Sequence, residues 1–328
     1  MQVVAPEVLP YLAGLMTTPT PAPTPADAAS HRTGMIYGTT AYLLWGVLPL
    51  YFKALAHVSP GEILAHRIVW SLLFLLSLST LWRRWPAIRA AIRNPRVLLT
   101  LTATALLIAV NWLVYIIAVV SGHVLEGSLG YYLNPLVSIL LGVALLGEKL
   151  SRTQIFATLL AAAGVAVLAA GAGSGLWISI TLALSFASYG FLRKVAPVQA
   201  LEGLSIETMI LAPLALGWII VLEAQGQGGL RDWSIGTDVL LVLGGAITAI
   251  PLLLFTEASK RLPLSTLGFL QYIAPSLQFL SAVVLFGEPL TTSHILCFGA
   301  IWTALAIFTT DSWRRSVRSR RLHAESLA

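Results

Sequence analysis

Charged residues are scarce in this chain. They make up 10% of its 328 residues, whereas a soluble protein has about 25%. Hydrophobic residues make up 57%, and the mean hydropathy is +0.83. So little charge cannot cover the surface of a soluble globule, and so apolar a composition also excludes an intrinsically disordered chain. The composition therefore predicts a membrane protein.

Cysteine is nearly absent, because Cys297 is the one residue of this type. A single cysteine excludes a disulfide within the chain and a metal site built from cysteines. The sequence has no HExxH, GxSxG or Walker-type motif, and His57, His66 and His123 lack the spacing of metal ligands. We therefore expect no metal, no cofactor and no enzymatic activity.

Ten apolar segments are each long enough to cross about 30 Å of hydrocarbon. They run near 34–54, 62–82, 97–121, 125–147, 153–171, 175–193, 204–223, 239–258, 264–286 and 292–312. The connections are mostly short and leave little chain for a domain outside the membrane. The predicted fold class is an all-α membrane protein with ten transmembrane helices.

The basic residues fall mainly on one side of these spans. Of the 20 Lys and Arg residues, 17 lie on one side, whereas Lys53 and Arg231 lie on the other and Arg67 lies within a span. By the positive-inside rule, both termini are cytoplasmic. The sequence pI of about 9.7 then reflects topology and anionic lipid at the membrane surface, and we expect no nucleic-acid partner.

An internal repeat appears at an offset of 140 residues, where segment 131–155 aligns without a gap on segment 271–295. The matches that are hardest to obtain by chance are Pro135 over Pro275 and Gly147-Glu148 over Gly287-Glu288. Each half then has five helices, and because five is odd the second half enters the membrane from the opposite side. Inverted repeats are typical of secondary transporters, whose substrate site lies near the midplane between the halves.

The repeat divides the chain into four parts. Residues 1–33 form an N-terminal extension, and the Thr/Pro/Ala-rich stretch 17–30 predicts that it is disordered. Residues 34–171 form the first repeat, residues 175–312 form the second, and residues 313–328 form a basic cytoplasmic tail.

Polar residues within the spans are costly in hydrocarbon and normally face a cavity or a partner. Those of the first repeat gather in its outer half, where Arg67 would bind an anionic group and aromatic side chains would stack on the substrate. Alternatively, Arg67 pairs with Glu126 and locks the second and fourth spans together. Both interpretations stay open. The candidate substrate-binding residues are Arg67, His66, Trp70, Asn111, Trp112, Tyr115, Glu126, Asn134, Glu207, Gln271 and Tyr272.

The second repeat supplies the inner half of the predicted site. The residues expected to line it are Thr248, Pro251, Gln271, Tyr272 and Gln278, and Glu207 is a candidate for coupling to protons. Prolines within spans remove a backbone hydrogen bond and can act as hinges or as packing kinks. The candidates for such hinges are Pro135, Pro251 and Pro275.

Several short motifs carry a resemblance to a known family. They are WGVLP at 45–49, EILAHRIVWS at 62–71, NW at 111–112, LEGSLGY at 125–131 and LSTLGF at 264–269. Together they resemble the EamA-type transporters of the drug/metabolite transporter superfamily, and within it the RarD permeases. The resemblance covers residues 34 to 313. It implies two EamA repeats, a bacterial cytoplasmic-membrane location, and efflux or exchange of small metabolites or drugs.

The sequence therefore predicts a secondary-active permease that works by alternating access between two inverted repeats. Its expected partners are membrane lipid, a small-molecule substrate, and protons or another coupling ion. The competing interpretation is a membrane-embedded enzyme or a channel that acts on small amphipathic or lipid molecules.

Overall fold

The computed structural model describes residues 25–55, 57–120, 124–170, 176–226, 228, 234–286 and 292–325. The described residues form helices joined by short turns, without strands. The helices are α1 (Pro25–Gly46), α2 (Leu48–Ala54), α3 (Pro60–Leu81), α4 (Trp85–Arg93), α5 (Pro95–Val120), α6 (Val124–Leu146), α7 (Arg152–Ala169), α8 (Leu176–Val195), α9 (Ala200–Ala224), α10 (Ile235–Arg261), α11 (Leu264–Gln271), α12 (Ile273–Phe286) and α13 (Thr292–Glu325).

Seven stretches of the described chain are long and apolar enough to cross a membrane, and Arg152–Val167 and Ile295–Asp311 are shorter apolar helices. Large apolar side chains point outward from the bundle: Leu99 is 72% exposed, and Leu214 and Val284 are each 74% exposed. Lipid is the solvent in which such a surface is stable. The protein is an all-α, multi-pass membrane protein, as predicted, and each of the ten predicted segments contains a helix.

The two ends of the chain are more helical than expected. Helix α1 begins at Pro25, so residues 25–33 are helical where disorder was predicted, and residues 1–24 lie outside the described part. Helix α13 continues to Glu325, so most of the predicted tail extends the last helix. The connection 83–96 contains α4, whose Ile88 packs on α5 and α9.

Two of the predicted spans are broken helices. The first breaks at Val47 between α1 and α2, and the ninth breaks at Tyr272 between α11 and α12. Pro275 follows the second break, and because proline has no N–H it cannot donate to the carbonyl of Gln271. By contrast, α6 continues through Pro135 without a break.

The two halves of the chain interleave. The helix pairs in closest contact all join one helix of residues 25–169 to one of residues 176–325, and they include α6 with α8, α7 with α13, α1 with α10, and α3 with both α9 and α10. Where α3 meets α10, the backbones nearly touch, because a Cβ at Gly245 would lie 2.4 Å from the carbonyl carbon of Trp70. Each half therefore buries its helices mainly against the other half.

Reciprocal hydrogen bonds join the C-terminal ends of α8 and α10. Lys194 Nζ donates to the Ser259 carbonyl oxygen at 2.8 Å, and Lys260 Nζ donates in return to the carbonyl groups of Ala196 and Val198. We call this set of contacts the lysine network. It satisfies carbonyl groups that have no partner at a helix end and fixes the two ends together.

Glu148 ties α6 to the start of α11 at the same end of the bundle. Helix α6 stops at Gly147, whose φ of 65° is a conformation that glycine readily adopts. The Glu148 carboxylate then accepts hydrogen bonds from Leu264 N at 2.5 Å, Ser265 N at 2.8 Å and Ser265 Oγ at 2.7 Å. A carboxylate at a helix N-terminus satisfies free N–H groups and complements the helix dipole. This contact and the lysine network close one end of the bundle.

Candidate functional site

A cavity of about 460 Å³ lies between the two halves, a volume typical of small-molecule sites. Helices from both halves supply its walls. At one end it extends to the turn that contains Leu55 and Val58, away from the lysine network. We call it the main cavity. The residues that line it include Tyr42, Trp45, Phe52, Arg67, Asn111, Trp112, Tyr115, Tyr131, Asn134, Phe186, Thr248, Gln271, Pro275 and Gln278.

Arg67 on α3 is the charged residue that lines this cavity in the described part of the chain. Its Nε donates to Thr248 Oγ1 on α10 at 2.8 Å. The guanidinium lies 5.2 Å from the ring centroid of Phe52 and 5.8 Å from that of Trp112. Aromatic faces stabilise a cation but do not neutralise it. Arg67 is therefore a positive charge that is held in place and able to bind an anion.

Aromatic rings form much of the remaining wall. Trp45 packs edge-on against Phe186, with ring centroids 5.7 Å apart, and Tyr115 packs against Tyr131 at 5.5 Å. Such rings supply large, apolar and rather rigid contact surfaces. They suit a ligand with an apolar, planar body.

Side-chain amides supply further polar groups of the cavity. Asn111 Nδ2 donates to Leu182 O and to Ser185 Oγ, both at 3.0 Å, so its amide is fixed by α8. By contrast, the Asn134 Oδ1 and Gln271 Oε1 atoms are buried without a hydrogen-bond partner among the described residues. A buried polar atom without a partner costs free energy, so these two oxygens favour a ligand or water that donates to them.

The sequence-based candidates divide into two groups. Arg67, Asn111, Trp112, Tyr115, Asn134 and Gln271 line the main cavity, together with the predicted hinge residue Pro275. His66, Trp70, Tyr272, Pro135 and Pro251 are not among its lining residues. His66 precedes Arg67 on α3, and a step of one residue turns a helix by about 100°, so the two side chains point in different directions. The side chain of Glu126, and with it the predicted pair with Arg67, lies outside the described part.

Thr248 is closer to Arg67 than expected. The sequence placed Thr248 and Gln271 in an inner half and Arg67 in an outer half, but all three line one cavity, and Thr248 bonds to Arg67 directly. Thr248 therefore lies at the depth of Arg67 and not in the inner half. Depth along a helix can be estimated from the sequence only to within a few residues.

Several aromatic residues of the site were not among the sequence-based candidates. Phe52 and Phe186 line the cavity, but an aromatic residue in an apolar segment does not stand out against its neighbours. Trp45 lies two residues before the break at Val47, and the pair Trp45-Gly46 matches Tyr189-Gly190 in the second half. That weak sequence match is the signal by which Trp45 could have been recognised as a site residue.

Glu207 does not line the main cavity. It borders a second cavity of about 20 Å³, which we call the side cavity. Four residues, Ile108, Trp112, Thr248 and Leu252, line both cavities, so the side cavity lies directly against the main one.

Comparison with known proteins identifies the family. The EamA-like transporter family model matches residues 32–170. Protein RarD of Streptomyces exfoliatus is 47% identical over 89% of this chain and 93% of its own length, and Protein RarD of Escherichia coli K12 is 42% identical over 87% and 97%. A Pseudomonas aeruginosa protein described as an uncharacterized transporter is 45% identical over 87% of this chain and 96% of its own.

A solved crystal structure has the same fold, with a TM-score of 0.66 over 84% of this chain and 97% of the other at 22% identity. The relatives span nearly the whole membrane region, and they are named as transporters or as RarD proteins. The chain therefore belongs to the RarD-type permeases of the EamA-like transporter family.

Proposed function

We propose that this permease is a secondary-active carrier that moves small amphipathic molecules bearing an anionic group, by efflux or exchange. The observation that carries the proposal is Arg67, a cation without a carboxylate partner among the described residues, in a cavity walled by aromatic rings. An anionic group would bind the guanidinium, and an apolar body would contact Trp45, Phe52 and Trp112. A charge-assisted hydrogen bond in such surroundings is stronger than a neutral one.

Ten spans in two inverted halves form the proposed frame of this carrier. Seven stretches have the length and hydropathy of a span, two apolar helices are shorter, and the broken helix α11–α12 is the tenth. The helix contacts support a two-fold relation between the halves. In this relation, each long helix of the first half has a counterpart in the second: α1 with α8, α3 with α9, α5 with α10, α6 with α11–α12, and α7 with α13. When each of these helices is replaced by its counterpart, each pair of helices in closest contact becomes another pair that is in contact, or the same pair.

Alternating access is proposed from the closed and open ends of the bundle. The lysine network and Glu148 close the end that carries most basic residues, whereas the main cavity extends to the opposite end near Leu55. With both termini cytoplasmic, the described conformation faces outward from a bacterial cytoplasmic membrane. Rocking of the two halves would open the closed end and close the other.

The test is counterflow in liposomes that contain the purified full-length protein. Labelled benzenesulfonate is the probe, because its permanent charge prevents passive entry. We expect saturable uptake that unlabelled benzenesulfonate inhibits much more strongly than unlabelled benzenesulfonamide, its neutral analogue. Non-saturable flux would instead indicate a channel, and equal inhibition by both compounds would remove the proposed role of Arg67.

A further inference from the structure

Glu207 is a buried acidic residue about two turns from the start of α9. It is 1% exposed. Thr104 Oγ1 donates to its Oε1 at 2.5 Å, and the Tyr189 hydroxyl donates to its Oε2 at 3.4 Å. A carboxylate in such a place is expensive, and membrane proteins normally retain one for a function.

The counter-charge of Glu207 is Arg193, and the compensation is incomplete. Arg193 NH1 lies 3.4 Å from Glu207 Oε1, and its NH2 donates to the Ala200 carbonyl at 3.1 Å. Arg193 is 0% exposed, and its Nε and NH1 atoms have no hydrogen-bond partner among the described residues. Good geometry is what allows a buried ion pair to offset the cost of desolvation, and this pair lacks it. The neutral form of Glu207 is therefore accessible.

The side cavity connects Glu207 to the substrate region. A cavity needs about 10–15 Å³ to hold one water molecule, so 20 Å³ is room for one. The residues with polar side-chain groups that line the side cavity are Ser71, Trp112, Tyr189, Glu207, Thr208 and Thr248. Because Thr248 also accepts from Arg67 in the main cavity, the water would lie between the buried acid and the substrate site.

The titratable groups that act on Glu207 within the described part are Arg193 and Tyr189, both on α8. The other helices packed around it present hydroxyl groups instead: Ser71 from α3, Thr104 from α5 and Thr248 from α10. A proton that reaches this place from the main cavity therefore meets Glu207 as its acceptor.

We propose that Glu207 is the proton-binding residue that couples transport to a proton gradient, and that it exchanges its proton with the main cavity through one water molecule. This inference rests on the proposed carrier function. The proton leaves a hydronium ion in the cavity and forms an O–H bond on the Glu207 carboxylate. The pair is then left with one uncompensated positive charge, on Arg193.

That charge lies beside the closed end of the bundle. Arg193 is followed directly by Lys194, which donates to carbonyl groups at the end of α10. An unpaired buried cation is strongly unfavourable, so protonation of Glu207 favours a conformation in which Arg193 reaches water. Opening of the closed end provides such a conformation.

The first experiment measures the proton on Glu207 without any substrate. Infrared difference spectra between acidic and alkaline pH are recorded for the full-length protein in liposomes. We expect a protonated-carboxyl C=O band that disappears in Glu207→Gln and persists in Glu202→Gln, which replaces the other buried acid of α9. A wild-type spectrum without the band, or a band that survives in Glu207→Gln, overturns the inference.

The second experiment measures coupling with benzenesulfonate as the probe. In wild-type liposomes, an imposed proton gradient should drive accumulation of the probe, and Glu202→Gln should behave like wild type. Glu207→Gln should lose gradient-driven accumulation, and its counterflow should become independent of pH. Glu207→Asp keeps a carboxyl group at this position and should restore the pH dependence. That result would show that the loss in Glu207→Gln comes from the missing carboxyl group and not from misfolding.

The two proposals fail in different ways. If benzenesulfonate is not carried at all but the infrared band is present, the substrate class is wrong and the proton site stands. If the probe is carried but no gradient drives it in wild type, the carrier stands and the coupling role of Glu207 is overturned.

Discussion

Arg67 determines the chemistry of the main cavity at the scale of single residues. The amides and rings around it set shape and hydrogen bonding, and in the proposed function the charge of Arg67 would select one class of ligand. Thr248 and the rings of Phe52 and Trp112 hold it in place, so little side-chain entropy is lost when an anion binds.

Replacing Arg67 with Gln should weaken the binding of benzenesulfonate by about tenfold or more, because a hydrogen bond to a charged group contributes about 1.5–3 kcal/mol. Binding of benzenesulfonamide should change little. Quenching of tryptophan fluorescence reports both affinities, since Trp45 and Trp112 line the cavity. Arg89→Gln, on the exposed side of α4, is the matched control. An equal loss for both compounds would assign Arg67 a structural role.

Gly245 is a second residue whose size matters, because its helix touches the backbone of α3. In Gly245→Ala, the new Cβ would lie 2.4–2.7 Å from backbone atoms of Trp70 and Ser71, and overpacking of this kind costs about 1–3 kcal/mol. We expect a lower midpoint of thermal unfolding in detergent. Gly217→Ala, where a Cβ would meet nothing within 4 Å, should leave the midpoint unchanged or raise it. Similar losses in the two variants would contradict the close approach.

Polar residues of the site were predictable from the sequence, and apolar ones were not. Arg67, Asn111 and Asn134 stand out because each is costly in hydrocarbon, so their presence in a span requires a cavity or a partner. Phe52 and Phe186 have no such contrast with their surroundings. Pairing between helices was also hidden, which is why Thr248 was assigned to a different half of the site.

At the scale of elements, two broken helices contribute to the site beside the continuous ones. The breaks at Val47 and Tyr272 fall beside cavity residues, Trp45 before the first break and Gln271 before the second. The apolar segments and their order were predictable, because length and hydropathy determine what a membrane accepts. The position of a break was harder to predict, since α6 continues through Pro135, whereas the segment that aligns with it at the offset of 140 breaks three residues before Pro275.

Glu148 is predicted to hold the start of α11. Glu148→Ala removes the acceptor of the Leu264 and Ser265 N–H groups, and loss of such a cap costs about 0.5–2 kcal/mol. Hydrogen–deuterium exchange should become faster in α11 and stay unchanged in the other helices. Glu257→Ala, which removes a half-buried pair with Arg261 on α10, serves as the control.

The repeat extends this prediction to the other half. Glu288 corresponds to Glu148, and residues 124 and 125 correspond to Leu264 and Ser265 at the offset of 140. Glu288→Ala should therefore speed exchange at the start of α6. An effect of Glu148→Ala alone, with no effect of Glu288→Ala, would argue against equivalent roles of the two Gly-Glu pairs.

At the scale of the whole molecule, the direction in which the cavity opens can be measured. In a Cys297→Ser background, the thiol of Gln278→Cys in the main cavity should react with a membrane-impermeant thiol reagent added outside intact cells. Benzenesulfonate should slow that reaction. Ser205→Cys, at a fully buried position, should stay unreactive. Labelling of position 278 only from the cytoplasmic side would reverse the proposed orientation.

The interleaving of the two halves has a consequence for biogenesis. During synthesis, residues 25–169 enter the membrane before residues 176–325 exist, yet their main packing partners are in that later part. Until then, Arg67, Asn111 and Asn134 lack the helices that surround them, and each is unfavourable in lipid. The helices of the first half therefore stay loosely packed until the second half has been inserted. A defect in a late helix such as α13 therefore exposes α7, its partner made much earlier, to membrane quality control.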